Sequence, residues 1–408
     1  VGPPSPEKPE LTMNRLRKYR PVSPQAYDPL CETTTAFDVT NKRRKSRKTE
    51  RSGNMKILAI NSSPRTGDQS KTELMLNHLI DGMREAGADV ETVNLREKNV
   101  KNCIGCFTCW TKTPGQCLLK DDMTEELFPK WLKADLVIYA TPLYYHTMNG
   151  VMSLFLERTL PAIQPFFEKA DDGKISHPLR FKIPAAVWLS VCGFPDESEF
   201  DVLSHYLNHT EHKDTMLVAE IYRTAAESLT NPFVKEKAAD VLNATTEAGR
   251  ELVKTMKISP ETMARIRQPL EDPTLFAETA NLFWKTCIAE GVTPKQFEEK
   301  NMVPRPDSLE SFMLLFPFGL NADAAGDRKV IMQINFSGEV VGSCYFNIGK
   351  GKINSQKGTS EKPDIAIDTP FTVWMDIMTG KADGQQMFME QKYKVNGDIP
   401  LMIQLFDA

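Results

Sequence analysis

The chain has 408 residues, two to three domains' worth at about 150 residues each, with 41% apolar and 25% charged side chains. That is a globular balance, and the longest apolar stretch, Phe312 to Leu320, is far short of the roughly 18–20 residues that cross a bilayer. The net charge of −4 conceals +6 over residues 1–54 and −10 over the rest, and an acidic body excludes a nucleic-acid-binding face.

Residues 1–54 carry 7 of the 27 prolines and end in NKRRKSRKTER, with little apolar periodicity. This composition predicts a basic, disordered arm whose charge run reads as solvated rather than as a binding tail. No apolar core of a secretory signal is present in it, so a cytoplasmic location is expected. Met55 opens MKILAINSSPR, which reads like a natural start, and the arm is left out of the fold reading.

From Met55 onward, strand and helix patterns alternate. Lys56–Asn61, Asp89–Asn94, Leu136–Ala140, Ile183–Val191 and Met216–Tyr222 read as strands. Ser70–Ala86, Met148–Phe167 and Asn231–Lys254 read as helices, and Thr141-Pro142 reads as the stop of the third strand. Such alternation predicts an α/β fold, a parallel sheet covered by helices on both faces. Residues 258–308 are interrupted by six prolines and read as a linker with a helix or two. Beyond Leu309, Val330–Phe336 and Val340–Ile348 alternate around Ser337-Gly338-Glu339, a hairpin pattern. Lys352–Gln356, Asp364–Asp368 and Leu401–Phe406 read as further strands, and Phe371–Thr379 and Gly384–Gln391 as helices. An α+β module of about 100 residues therefore follows the α/β region.

Two clusters carry chemistry. After the first strand, Asn61 to Thr72 supplies Ser62, Ser63, Arg65, Ser70 and Thr72 at the start of a helix. Hydroxyls, free N–H groups at a helix N-terminus and an arginine make an anion site, at the sheet edge where α/β folds bind ligands. Ser70 with Glu73 also has capping-box spacing, so a merely capped helix is the competing reading. Neither a dinucleotide nor a triphosphate glycine motif is present. Leu143-Tyr144-Tyr145 then offers broad aromatic contact for a flat ring, with ordinary loop packing as the alternative. The second cluster is Cys103, Cys106, Cys109 and Cys117, spaced by two, two and seven residues. Four thiolates so spaced suit a [4Fe–4S] cube better than zinc, which prefers two separated pairs; a redox pair or an inert loop are the alternatives.

The segments MKILAINSSPRTGDQSKTELML, ATPLYYHTMNGVMSLFLER and LSVCGFPDESEFDVL resemble the three flavin loops of the NAD(P)H-dependent FMN reductases, which are flavodoxin-like. The resemblance covers roughly residues 55–255, within a domain expected over 55–257. It implies that Ser63, Arg65, Ser70 and Thr72 hold the FMN phosphate, and that Pro142, Leu143, Tyr144, Tyr145 and Met148 border the ring. Cys192 and Gly193 would approach the far edge of the ring through their backbone. Ser62 departs from the glycine common at that position. The cysteine run is similar to that of the iron–sulfur flavoproteins of the same group. Residues 309–408 resemble the sterol carrier protein type 2 domain, which implies a five-stranded sheet, an apolar lipid tunnel, or a docking role.

Three functions follow from these readings. The first is an FMN enzyme taking hydride from NAD(P)H and reducing a small-molecule acceptor, a flavin, a quinone or a lipid-like compound, as a homo-oligomer. The second is an electron-transfer protein relaying single electrons through FMN and [4Fe–4S]. The third is a lipid-binding protein with a structural flavin domain.

Overall fold

The computed structural model describes residues 54–169, 173, 175–210 and 217–406; the expected arm, with Cys31, lies outside the described residues but for Asn54. The first region runs β1 (Lys56–Asn61), α1 (Lys71–Glu85), β2 (Asp89–Asn94), α2 (Phe128–Lys133), β3 (Leu136–Tyr144), β4 (Thr147–Met148) and α3 (Gly150–Glu157). It continues through β5 (Glu168–Lys169), β6 (Ile175–Ser176), β7 (Ala185–Val191), α4 (Asp201–Thr210), β8 (Leu217–Arg223) and α5 (Lys235–Thr255). The five long strands pair in parallel in the order β2-β1-β3-β7-β8, which is the flavodoxin-like order.

Alternation along each strand decides the two layers. Ile57 and Ala59 of β1 pack with the buried faces of α1 and α5, while Leu58 and Ile60 pack with Trp131, Phe155 and Leu203 from α2, α3 and α4. Helices α1 and α5 cross so closely that only glycine fits. A Cβ at Gly249 would stand 2.1 Å from the Leu79 carbonyl oxygen, and one at Gly82 would stand 1.8 Å from that of Thr246. Gly249→Ala is expected to cost about 1–3 kcal/mol, because backbone must move to admit the methyl. A lowered urea midpoint checks it; an unchanged midpoint would mean that the helices can slide apart freely.

Three sequence expectations change here. Strand β3 does not stop at Pro142: Pro142 stands in register with Val191, the last residue of β7, and Leu143–Tyr144 pair antiparallel with β4 instead. Proline lacks only the N–H, and it falls where the parallel ladder ends. The helix expected over Met148–Phe167 is only α3, because Asn149 caps its start and Pro161 denies an N–H to the next turn. The linker is also less separate than its prolines suggest. Helix α6 (Pro260–Arg267) and Leu270 pack into the core under α5, with Ile266 and Leu270 almost wholly buried.

Helices α7 (Pro273–Glu290) and α8 (Pro294–Glu299) follow, then α9 (Leu309–Leu315). The last region adds β9 (Val330–Ser337), β10 (Gly342–Gly349), β11 (Lys352–Lys357), β12 (Ile365–Pro370), α10 (Phe371–Met378), α11 (Gly384–Met389), β13 (Lys394–Gly397) and α12 (Ile399–Phe406). Its five strands lie in the order β11-β10-β9-β12-β13, with β9 and β12 parallel and the other pairs antiparallel. Leu401–Phe406, expected as a strand, is the body of α12. The Asp398 carboxylate accepts the Leu401 N–H, and Leu401, Met402 and Leu405 are buried while Ile403 is exposed. A six-residue apolar run cannot separate a strand from a helix by itself. The fifth strand is β13, where the sequence reads a turn.

Between this sheet and its helices, Phe312 packs on Phe316, Phe336 and Phe346 with ring centroids 4.7, 4.8 and 6.0 Å apart. Phe371 and Trp374 close the same cluster, and Met332 and Met375 fill it as fully buried core. Residues 53–408 hold together as one unit. Glu290 of α7 pairs with Lys381, Arg305 pairs with Glu339, and Phe233 meets Phe318 in a tilted contact at 4.8 Å, so the segment between the two sheets is braced against the last region rather than loosely tethered.

Candidate flavin site and cysteine pocket

The loop after β1 is held from below by its own side chains. Ser62 is buried, and both its N–H and its hydroxyl donate to the Ala140 carbonyl of β3, at 2.9 and 3.2 Å. That double tie gives Ser62 a structural reason for standing where related loops have glycine. Ser63 Oγ lies 2.8 Å from Ser70 Oγ and accepts the Arg65 N–H at 3.2 Å. Ser70 caps α1 by accepting the Glu73 N–H, and Thr72 is buried in the first turn. Ser70 therefore caps the helix, as its spacing predicts, and a cap does not exclude an anion at the same turn. Gly67 has φ +56° with open space around it, so glycine is required there by backbone conformation and not by crowding.

Arg65 is half exposed and pairs with Glu227 at 3.0 Å; Lys71 reaches the other oxygen of the same carboxylate at 3.7 Å. Two residues that sequence reasoning missed brace this loop. The Asn149 amide donates to the Ser62 carbonyl at 2.6 Å while its oxygen caps α3, so one side chain locks the first loop to the second. An asparagine directly before an apolar helical run was the available signal. Arg96 lies beneath the loop, 3.4 Å from the Ser63 and Arg65 carbonyls and paired with Glu73; no local pattern announces it.

The second loop is a two-residue turn between β3 and β4. Tyr145 and His146 both have positive φ, 52° and 62°, a conformation that costs non-glycine residues and persists where surrounding structure imposes it. Pro142 and Leu143 are half-buried, Met148 is buried, Tyr144 is 48% exposed and Tyr145 is 99% exposed. A row of apolar surface with two tyrosines uncovered is a ledge against which a flat ring can pack. His146 is not solitary, since Glu199 lies 3.0 Å from its Nδ1.

At the third loop the structure separates two residues that the resemblance groups together. The Cys192 N–H donates to the Arg223 carbonyl and its carbonyl accepts the Ala226 N–H, so its backbone is engaged within the sheet edge. Burial pushes its thiol up to about 11. Gly193 is exposed, with open space where a side chain would stand, and is the residue of the pair that can meet a ligand through its backbone.

All four clustered cysteines line one small depression, together with Ile104, Phe107, Leu118, Leu119, Leu160 and Pro161. Burial raises the Cys109 thiol, and the nearby Cys117, Cys106 and Cys103 raise it further, as expected of sulfurs gathered in one place. The Thr108 hydroxyl and N–H hold Cys106 below its ordinary value. Among the described residues no three such side chains converge on a single point as one metal ion requires.

The depression is positioned by a buried ion pair. Arg158 and Asp121 are joined by two contacts, at 2.6 and 3.1 Å, with both side chains almost wholly inaccessible. The same guanidinium donates to the Lys101 carbonyl at 2.6 Å and to the Cys117 sulfur at 3.4 Å. Asp121 also accepts the Thr124 N–H at 3.2 Å.

Residues 55–193 match the family described as NADPH-dependent FMN reductase, and residues 324–407 match the SCP-2 sterol transfer family. An iron–sulfur flavoprotein of Archaeoglobus fulgidus is 38% identical over 108 residues, which is 26% of this chain and 46% of that one. Another, from Methanocaldococcus jannaschii, is 30% identical over 107 residues, 26% of this chain and 53% of its own. The chain spans about half the length of these curated relatives. A solved FMN-dependent NADH-azoreductase from Bacillus anthracis, in complex with FMN, overlaps 49% of this chain and 99% of its own, at 17% identity and a TM-score of 0.37. The chain thus joins a flavodoxin-like region that matches the NADPH-dependent FMN reductase family to a region that matches the SCP-2 sterol transfer family.

Proposed function

We propose that the chain is an FMN-dependent oxidoreductase that draws electrons from NAD(P)H and passes them to a small-molecule acceptor. The observation that carries this is the junction of a phosphate-type loop and an exposed aromatic ledge at one edge of a parallel sheet. FMN, when bound, supplies the hydride and single-electron chemistry. The chain's own task is to hold and orient it. Ser63, Ser70, Thr72 and Arg65 face the phosphate, Asn149 and Arg96 keep that loop in shape, and Pro142, Leu143, Tyr144, Tyr145 and Met148 offer the surface for the ring. Gly193 gives close backbone access at the opposite edge. The uncovered Tyr145 and Phe167, the latter 74% exposed, support a homo-oligomer in which a second copy covers them. Free thiols throughout the described cysteines support a reducing, cytoplasmic setting.

Arg65→Ala tests the phosphate assignment. A charge-assisted contact contributes about 1.5–3 kcal/mol when desolvated, but Arg65 is half exposed and must leave Glu227, so the lower end applies. FMN affinity is expected to fall about tenfold, roughly 1.4 kcal/mol, with riboflavin affinity unchanged. Flavin fluorescence titrations read both. Equal losses for the two ligands would show that the loop holds no phosphate.

A second reading, favoured by the depression that all four cysteines share, is that Cys103, Cys106, Cys109 and Cys117 hold a [4Fe–4S] cluster and the chain relays single electrons. The ring-filled interior around Phe312 gives less support to lipid carriage, and more to a docking role for the last domain.

A further inference from the structure

A cleft of about 590 Å³ adjoins the phosphate loop, and none of the residues of the tyrosine ledge lines it. Arg65, Lys71 and Gly193 form one side, and Phe276, Phe283 and Trp284 of α7 form the other, with Glu271 and Glu298 at the ends. Helices α7 and α8 lie outside both family-matched stretches, so this wall is built from residues that neither match covers.

We infer that this cleft binds an adenylate, the adenosine phosphate end of the nicotinamide donor; the inference rests on the oxidoreductase reading above. Its volume falls within the roughly 300–1,000 Å³ of small-molecule sites. Positions 276, 283 and 284 share one face of α7 at helical spacing, and Trp284 is 52% exposed, a large ring available for a purine to stack on. Across the cleft, Arg65 and Lys71 reach the one Glu227 carboxylate. In the FMN-loaded chain Arg65 is committed to the flavin phosphate, so the adenylate phosphate falls to Lys71, which exchanges a carboxylate partner for a stronger acceptor. Glu298 supplies a carboxylate acceptor suited to ribose hydroxyls, the role an acidic side chain plays toward NAD, while Glu271 already accepts the Ser228 hydroxyl and Lys295 adds a cation to the same wall.

The experiment uses the full chain loaded with FMN. AMP is titrated calorimetrically into wild type and Trp284→Ala, and steady-state KM and kcat are measured for NADH and NADPH in both. AMP affinity is expected to fall about tenfold in the variant, as loss of one base-on-indole stack implies. KM for NADH should rise by a similar factor while kcat and FMN affinity hold. In Glu298→Gln the KM for both donors should rise, because a ribose-hydroxyl acceptor is weakened. Trp284 is an exposed side chain, so the variant should melt where wild type does, and Phe276→Ala serves as a second probe of the same wall. Absence of AMP binding to wild type at about 10 mM, weaker than any affinity of physiological use, would overturn the proposal, as would equal AMP binding by both proteins. AMP binding that falls in the variant while KM for NADH stays fixed, with FAD affinity weakened relative to FMN, would overturn the donor assignment and give the cleft to a flavin's adenylate. The calorimetry needs no turnover. AMP binding at Trp284 in a protein that never oxidises NADH would therefore overturn the donor assignment and the oxidoreductase reading, while leaving the cleft an adenylate site.

Discussion

Asp121→Ala is expected to destabilise the flavodoxin-like domain by about 3–5 kcal/mol, because it leaves the Arg158 guanidinium buried without its counter-charge. The pair is bidentate, and water does not reach either partner to replace the lost one. Nor can Arg158 turn outward, since it is tied to the Lys101 carbonyl and lies against Thr124 and Cys117. Urea unfolding followed by circular dichroism checks the loss; a change under 1 kcal/mol would mean that water enters and solvates Arg158. The same pair sets an acid limit. Burial alone would push the Asp121 carboxyl up, but Arg158 and the N–H groups of Lys101 and Thr124 hold it below the usual carboxylate range. A depressed folded value contributes stability that is complete above the unfolded value of about 4 and is lost as pH falls through the folded one. Wild type should therefore lose stability on acidification below about pH 4, and the variant should lose less over the same window.

Much of the first domain is legible in the chain because its signals are local. Lys56–Asn61 and Asp89–Asn94 are strands at the expected bounds, since a short β-rich run or an alternating one ends in a turn in each case. The parallel sheet follows from strand–helix alternation. Where expectation fails, the deciding partner is distant. Pro142 looks like a stop until β7 is known to end opposite it, and Leu401–Phe406 looks like a strand until Asp398 is seen to cap it. The site divides in the same way. Ser63, Arg65, Ser70 and Thr72 sit within ten residues and announce themselves by chemistry. Arg158, at the end of an apolar helix, carries no local signal of its role, because nothing in its neighbourhood reveals a carboxylate 37 residues earlier. Arg96 is hidden for the same reason, since its partners are carbonyls of a loop about 30 residues upstream.

Cys106→Ser should abolish iron binding if the proposed cluster is present, and this is the sharpest division between the plain reductase and the electron relay. Wild type prepared without air would hold about four irons and four sulfides per chain, one thiolate to each iron corner. Cys106 is the exposed member of the set, and Thr108 favours its thiolate, so it is the corner most open to oxidation as well as the simplest to replace. Serine keeps the size and removes the soft sulfur donor, and an exposed position makes the loss a ligand effect rather than a packing one. Cys109, buried at 7% exposure, would confound the two. Iron and sulfide assays, with the absorption band near 400 nm that such clusters show, give the readout, and FMN content in the same samples is the internal control. Full FMN with no iron after anaerobic reconstitution of wild type would remove the relay and leave the two-electron reductase. Iron lost from Cys106→Ser with FMN retained would show that the two sites are separately built, as their supports imply. Asn149 and Arg96 shape the phosphate loop, Arg158 and Asp121 shape the cysteine pocket, and neither pair touches the other's site.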